Sequence, residues 1–193
     1  MSTIFRFTVL ALITATRTLC NAAEMNSEES ARTSQEVLPN VFKEFWKNHT
    51  KVWTVKSTHA PLYDCEREVF TSVNDTSLQT KIYFDTENSF TLNWTFTGND
   101  TITSELSEHI TVRRGILYQN GTCAVFKTEV TVHSRRKVEG NSQVQSQNYF
   151  KLVVDDLDRN RNTTNCTKQY RKARGNEKSY KIYRKKCETI DEP

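Results

Sequence analysis

The chain has 193 residues, 36% hydrophobic and 10% aromatic, which suits one domain with a real core and excludes disorder throughout. Five Gly and three Pro exclude collagen-like and low-complexity structure. The formal charge of +4 is too mild to mark a nucleic-acid binder, and no run of eighteen apolar residues follows the N-terminus to span a membrane.

Residues 1–23 read as a secretory signal peptide: Arg6, the apolar run Phe7 to Ile13, then small residues ending Cys20-Asn21-Ala22-Ala23. Cleavage would remove Arg6 and Arg17 and lower the formal charge from +4 to +2. Residues 24–38, with Glu24, Ser27, Glu28 and Glu29, are expected to form a mobile polar arm, and 39–193 the folded domain. Val41, Phe42, Phe45 and Trp46 follow Pro39 at helical spacing and predict a short amphipathic helix over 39–48.

From there the pattern turns to strands. They are expected at 52–55, 66–73, 78–84, 90–97, 102–112, 116–119, 123–133 and 145–154, with a turn at Arg113-Arg114-Gly115 and a hairpin at Asn120-Gly121. A helix is expected over 158–174, stopped by Gly175, and a last short strand over 179–183. Sequential strands with tight turns, then a late helix, favour an antiparallel up-and-down barrel of eight strands.

Side chains alternate faces along a strand. Phe90, Leu92, Trp94 and Phe96 share one face, and the sequon residue Asn93 lies on the other, so the aromatic stripe is expected to point inward. Phe126 on 123–133, and Phe150 and Leu152 on 145–154, extend the same reading. Ordinary core packing would need this alternation too, but an eight-stranded barrel also has room for one small ligand.

Little here is catalytic. Four His lack metal-ligand spacing, and there is no H-E-x-x-H, G-x-S-x-G or glycine-rich phosphate loop. Asp156 to Asn160 imitates the start of a calcium loop, but Arg161 and Thr167 stand where Gly and Glu are required. No cofactor, metal or enzymatic activity is expected. Residues 168–186 are strongly basic, which reads first as a solvated helix face and a lysine-protected edge strand, with a patch for heparin or an acidic partner as the alternative.

Without Cys20, the four remaining Cys (Cys65, Cys123, Cys166, Cys187) form an even set, expected as two disulfides in an oxidising compartment, with three pairings open. Seven N-glycosylation sequons, at Asn48, Asn74, Asn93, Asn99, Asn120, Asn162 and Asn165, also point to secretion.

Together these residues resemble the tick salivary lipocalins, the family of the histamine-binding proteins. The resemblance rests on the signal peptide, the helix box Glu44-Phe45-Trp46-Lys47, the strand Val52 to Thr58, and the order of the four Cys. It implies an eight-stranded lipocalin barrel with a short N-terminal helix and a C-terminal helix. It also implies disulfides Cys65–Cys187 and Cys123–Cys166, and capture of a host mediator. The amine-binding pattern of the family is absent: Ala124 replaces the Asp after Cys123, and Lys151-Leu152-Val153 stands where Glu-Leu-Trp/Tyr would be. The japanin-like branch also lacks that pattern, and membership there would imply sterol binding and modulation of host dendritic cells.

A buried ammonium needs a carboxylate, so the leading expectation is a secreted monomer that sequesters a sterol, fatty acid or leukotriene and blunts host immune or inflammatory responses. Its candidate ligand-binding residues are Trp46, Phe90, Leu92, Trp94, Phe96, Phe126, Phe150 and Leu152. One alternative is histamine or serotonin capture through Glu44, Asp85, Glu105 or Glu108. The other is a filled barrel whose surface binds host immune cells or a host protein.

Overall fold

A computed structural model describes residues 40–84, 88–133, 144–159 and 163–190. The expected signal peptide and arm, Asp85 and the Asn162 sequon lie outside these residues. The strand pattern resolves into a meander of eight strands: β1 (Lys51–Ser57), β2 (Arg67–Val73), β3 (Ser77–Phe84), β4 (Asn88–Phe96), β5 (Thr101–Ser107), β6 (Ile110–Asn120), β7 (Cys123–His133) and β8 (Val144–Asp155). Each pairs antiparallel with the next.

β1 closes the barrel. Its first residues, Lys51 to Trp53, pair with β2, while Val52 to Ser57 pair with β8. Beyond Trp53 the edge left by β2 is taken by a ninth short strand, β9 (Tyr180–Lys181), through Lys56 and Ser57. Closure removes the open edges that would otherwise recruit other chains.

Helix α1 (Val41–Asn48) seals one end. Asn40 caps it, accepting from the Phe42 amide at 2.8 Å, and its Nδ2 donates to the carbonyls of Gly98 and Thr101. Phe42, Phe45 and Trp46 drive into the barrel, where Phe42 and Phe45 sit 5.6 and 5.4 Å from the ring of Phe126. Helix α2 (Thr164–Arg174) covers the outside of the barrel with Cys166, Tyr170 and Ala173, packed on Cys123, Val125, Leu152 and Val154. Both disulfides lie in outer layers: Cys123–Cys166 ties α2 to β7, and Cys65–Cys187 ties the C-terminal segment to the β1–β2 connection.

Three expectations are corrected. The stretch 102–112 is not one strand, because a turn at Glu108-His109 divides β5 from β6. Arg113-Arg114-Gly115 lies inside β6, since the Arg114 side chain finds its partner inside the barrel. The helix over 158–174 starts only at Thr164; before it, Asp155 accepts from the Leu157 amide and sets one 3-10 turn at Asp156–Asp158. Gly121 and Gly175, both with φ +55°, occupy the hairpin and the helix stop where expected.

Loop-closure entropy makes the long disulfide the more stabilising. Removing Cys65–Cys187 (separation 122) should cost about 5 kcal/mol and removing Cys123–Cys166 (separation 43) about 4. Urea unfolding of the two Cys-to-Ala pairs checks this, and a larger loss for the second pair would contradict it.

Candidate functional site: a cavity above a buried ionic network

Antiparallel strands alternate direction, so α1 and the β2–β3, β4–β5 and β6–β7 turns lie at one end. The β1–β2 connection and the β5–β6 turn lie at the other, which is open among the described residues. Below the opening is a cavity of about 310 Å³. Its walls are apolar: Ile82, Leu92, Val112 and Val130 within, Phe84, Phe90 and Leu106 toward the mouth, and Leu62 and Tyr63 on the rim. Phe90 is 40% and Leu62 89% exposed, so this rim faces water.

Polar chemistry is concentrated deeper. Glu66, Arg114, Tyr149 and Lys151 also line the cavity. Lys151 Nζ lies 2.6 Å from Glu66 Oε1, which also accepts from Thr54 Oγ1 at 2.5 Å. Arg114 Nη1 donates to both oxygens of Glu68, at 2.9 and 2.7 Å. Thr80 donates to Glu68 at 2.6 Å and accepts from Trp94 Nε1 at 2.9 Å. The Arg114 guanidinium stacks 4.5 Å over the Trp94 ring and 5.4 Å from that of Phe126. Two acids and two cations therefore neutralise one another inside the barrel.

Burial opposes the charge on Glu66, but the Lys151 ammonium and its hydrogen bond outweigh burial and hold the carboxyl below its ordinary range. Burial likewise opposes the charge on Lys151, and Glu66 outweighs it and raises the ammonium above its ordinary range. Among the described residues, two buried polar atoms here remain without partners: Arg114 Nε and Thr128 Oγ1, on residues directly opposite in the β6–β7 register.

The eight candidate lining residues separate into three places. Phe90 and Leu92 line the cavity. Trp94 lies under Arg114, and Trp46, Phe96 and Phe126 belong to the packed core toward the α1 end, so these four do not line it. Phe150 and Leu152 are on the outer face beneath α2, while Tyr149, Lys151 and Val153 point inward. Both faces of β8 are covered there, so apolar character does not mark the interior. The proposed acids also move. Glu44 pairs with Lys47 on α1, and Glu105 and Glu108 are exposed. The acid on the cavity wall is Glu66, whose neighbour Arg67 is equally polar, so the sequence shows no preferred inward parity.

The six described sequon asparagines are all exposed. Asn48, Asn74, Asn99 and Asn120 lie at the α1 end, far from the mouth; Asn93 is on the outer wall and Asn165 on α2.

No protein-family model and no curated protein sequence matches the chain. Among solved structures, the crystal structure of AM182 in complex with serotonin matches with a TM-score of 0.51 and 14% identity, covering 74% of this chain and 88% of that one. With the closed eight-stranded meander and its two helices, the likeness defines the class: this chain has a lipocalin fold. No helix among the described residues is long and apolar enough to cross a membrane.

The ion pair sets a pH signature. Glu66 is lowered on folding, so its contribution is complete above its ordinary range and lost as pH falls through the lowered value. Lys151 is raised, so its contribution is complete below its ordinary range and lost as pH rises through the raised value. Lys151→Met should cost about 3–5 kcal/mol at neutral pH by leaving Glu66 charged, buried and without its ammonium partner. Burial then raises the Glu66 carboxyl, so the variant should gain stability as pH falls toward about 5, where the parent does not. Unfolding midpoints at the two pH values check this; a variant that loses stability on acidification contradicts the assignment.

Proposed function

We propose that this chain is a secreted lipocalin that captures one small hydrophobic molecule per barrel, of the sterol, fatty-acid or leukotriene class, and so removes a mediator from host inflammatory or immune signalling. The observation that carries this reading is that, among the described residues, the two carboxylates at the cavity floor, Glu66 and Glu68, are already paired with Lys151 and Arg114. An ammonium ligand would have to displace a resident cation at a large cost. An apolar ligand fills the ring of Ile82, Leu92, Val112 and Val130 at no such cost. Its single polar group can accept from Arg114 Nε, which has no partner among the described residues. The volume, about 310 Å³, is near the lower bound of small-molecule pockets and suits one ligand.

Secretion is supported by the two disulfides and by the exposure of every described sequon asparagine. The protein made in a eukaryotic secretion host should therefore lose mass on enzymatic removal of N-glycans; an unchanged mass would count against it.

Biogenic-amine capture is the second reading. It is favoured by the serotonin held in the AM182 structure and by Glu66 on a cavity wall that also carries Tyr63, Phe84, Phe90 and Tyr149. In that case the amine takes the place of the Lys151 ammonium.

Native mass spectrometry with solvent extraction, followed by titration of lipids and serotonin, separates the two. Lipid capture predicts one lipid per chain, and at least tenfold weaker uptake by Val112→Trp, which fills the cavity. Failure to take up any lipid, with serotonin binding that is lost in Glu66→Gln, would replace the first reading by the second.

A further inference from the structure

Residues 168–186 hold nine Lys and Arg against one acid, Glu177, with Glu188 a second exposed acid in the turn that follows. Their net +8 on a chain of +4 means that all other residues together sum to −4. In the fold, this charge gathers on one outer surface. Cys166, Tyr170 and Ala173 turn toward the barrel, so Lys168, Arg171 and Lys172 project from the opposite side of α2. The chain then returns through Lys178 to β9, where Lys181 lies directly opposite Lys56 of β1. Like charges facing each other across strands are destabilising. Among the described residues, only Arg184 and Lys186 of this surface have a carboxylate within reach, and both share Asp64. Lys168, Arg171, Lys172, Lys178, Lys181 and Lys185 are exposed and have no carboxylate partner among the described residues.

From this arrangement we propose that α2, β9 and the 3-10 turn at Lys185–Thr189 form a docking surface for a sulfated polysaccharide. Along α2 and β9 the surface offers charge without an apolar anchor: among the described residues, none of the exposed large hydrophobic side chains falls within 164–190, and Leu62 and Tyr63 border only its Arg184–Lys186 edge. A protein partner would need a buried aromatic or aliphatic hot spot, and a bilayer would need apolar side chains to insert. A single-stranded nucleic acid would need exposed aromatics for stacking. A sulfated sugar chain needs only spaced cations and hydrogen-bond donors, which turn-spaced Lys and Arg supply. Such chains are extracellular, so the proposal rests on the secreted reading, but it is independent of what the cavity holds.

The test uses the full secreted chain on immobilised heparin and on a sulfopropyl matrix of similar charge. Elution from heparin should need clearly more salt than elution from sulfopropyl. With about four contacts, heparin affinity should fall about a hundredfold between 50 and 200 mM salt. The variant Lys168→Glu/Arg171→Glu/Lys172→Glu should bind heparin at least tenfold more weakly at 150 mM salt. The control Lys47→Glu/Arg113→Glu/Lys127→Glu, of equal net charge, should bind as the parent does. Near-UV circular dichroism and the urea unfolding midpoint report that both variants keep the barrel. Elution at the same salt from both matrices would overturn the proposal. So would equal loss in the two variants, or tighter binding to an acidic protein, anionic vesicles or duplex DNA than to heparin.

Discussion

A barrel interior can hold two carboxylates only if two cations are sealed in with them, and much of this molecule is arranged around that requirement. Glu66 immediately precedes β2 and Glu68 lies at its start, Arg114 comes from the middle of β6 and Lys151 from β8. The pairs therefore reach across the lumen and tie walls that are not neighbours in the sheet. A slip of one residue in any of these strands would turn a charge to the outside and strand its partner in the core, at a cost of several kcal/mol. The network also divides the interior. Toward α1 lies packed aromatic core, and toward the mouth lies the cavity.

The parts of this design that were legible in the sequence are those where one face meets water. Along β4, Leu92 and Trp94 are buried while Thr91, Asn93 and Thr95 are exposed, as strict alternation requires. The Asn120-Gly121 hairpin, the Gly175 helix stop and the two disulfides that the family resemblance implied follow equally local cues. Legibility fails where both faces are covered. Phe150 and Leu152 look like interior residues, yet α2 supplies a second apolar surface outside the barrel, and the inward face of β8 carries Tyr149 and Lys151. It fails again where the interior is ionic. Glu66, Glu68 and Arg114 have the composition of solvent-facing or turn residues, and only their pairing across the lumen makes burial affordable.

The outer layers form a separate stabilising system. Trp53 faces away from the lumen, donates to Asp156 at 2.6 Å, meets the Tyr183 ring edge-on at 5.2 Å and lies under Arg67. Around it the Cys65–Cys187 bond and β9 hold the C-terminal segment against the stretch of β1 that β2 has left. The mouth is thus framed by a covalent crosslink on one side and by exposed apolar loop residues, Leu62 and Tyr63, next to it. The buried ion pairs tie the walls deeper in the barrel, and at the rim Asp64 pairs with Arg184 and Lys186 beside the exposed Leu62 and Tyr63.

The shared position of β1 also dictates an order of events during synthesis. The strand made first can close the barrel only when β8, made last of the eight, has left the ribosome. Until then the growing chain is an open sheet with two bare edges, and its closure is a long-range, entropically slow step. The turns that leave the ribosome during this interval carry Asn74, Asn99 and Asn120, all at one end of the meander. Oligosaccharides attached there would give the half-built sheet a hydrophilic fringe at the stage when it is most able to pair with a stranger.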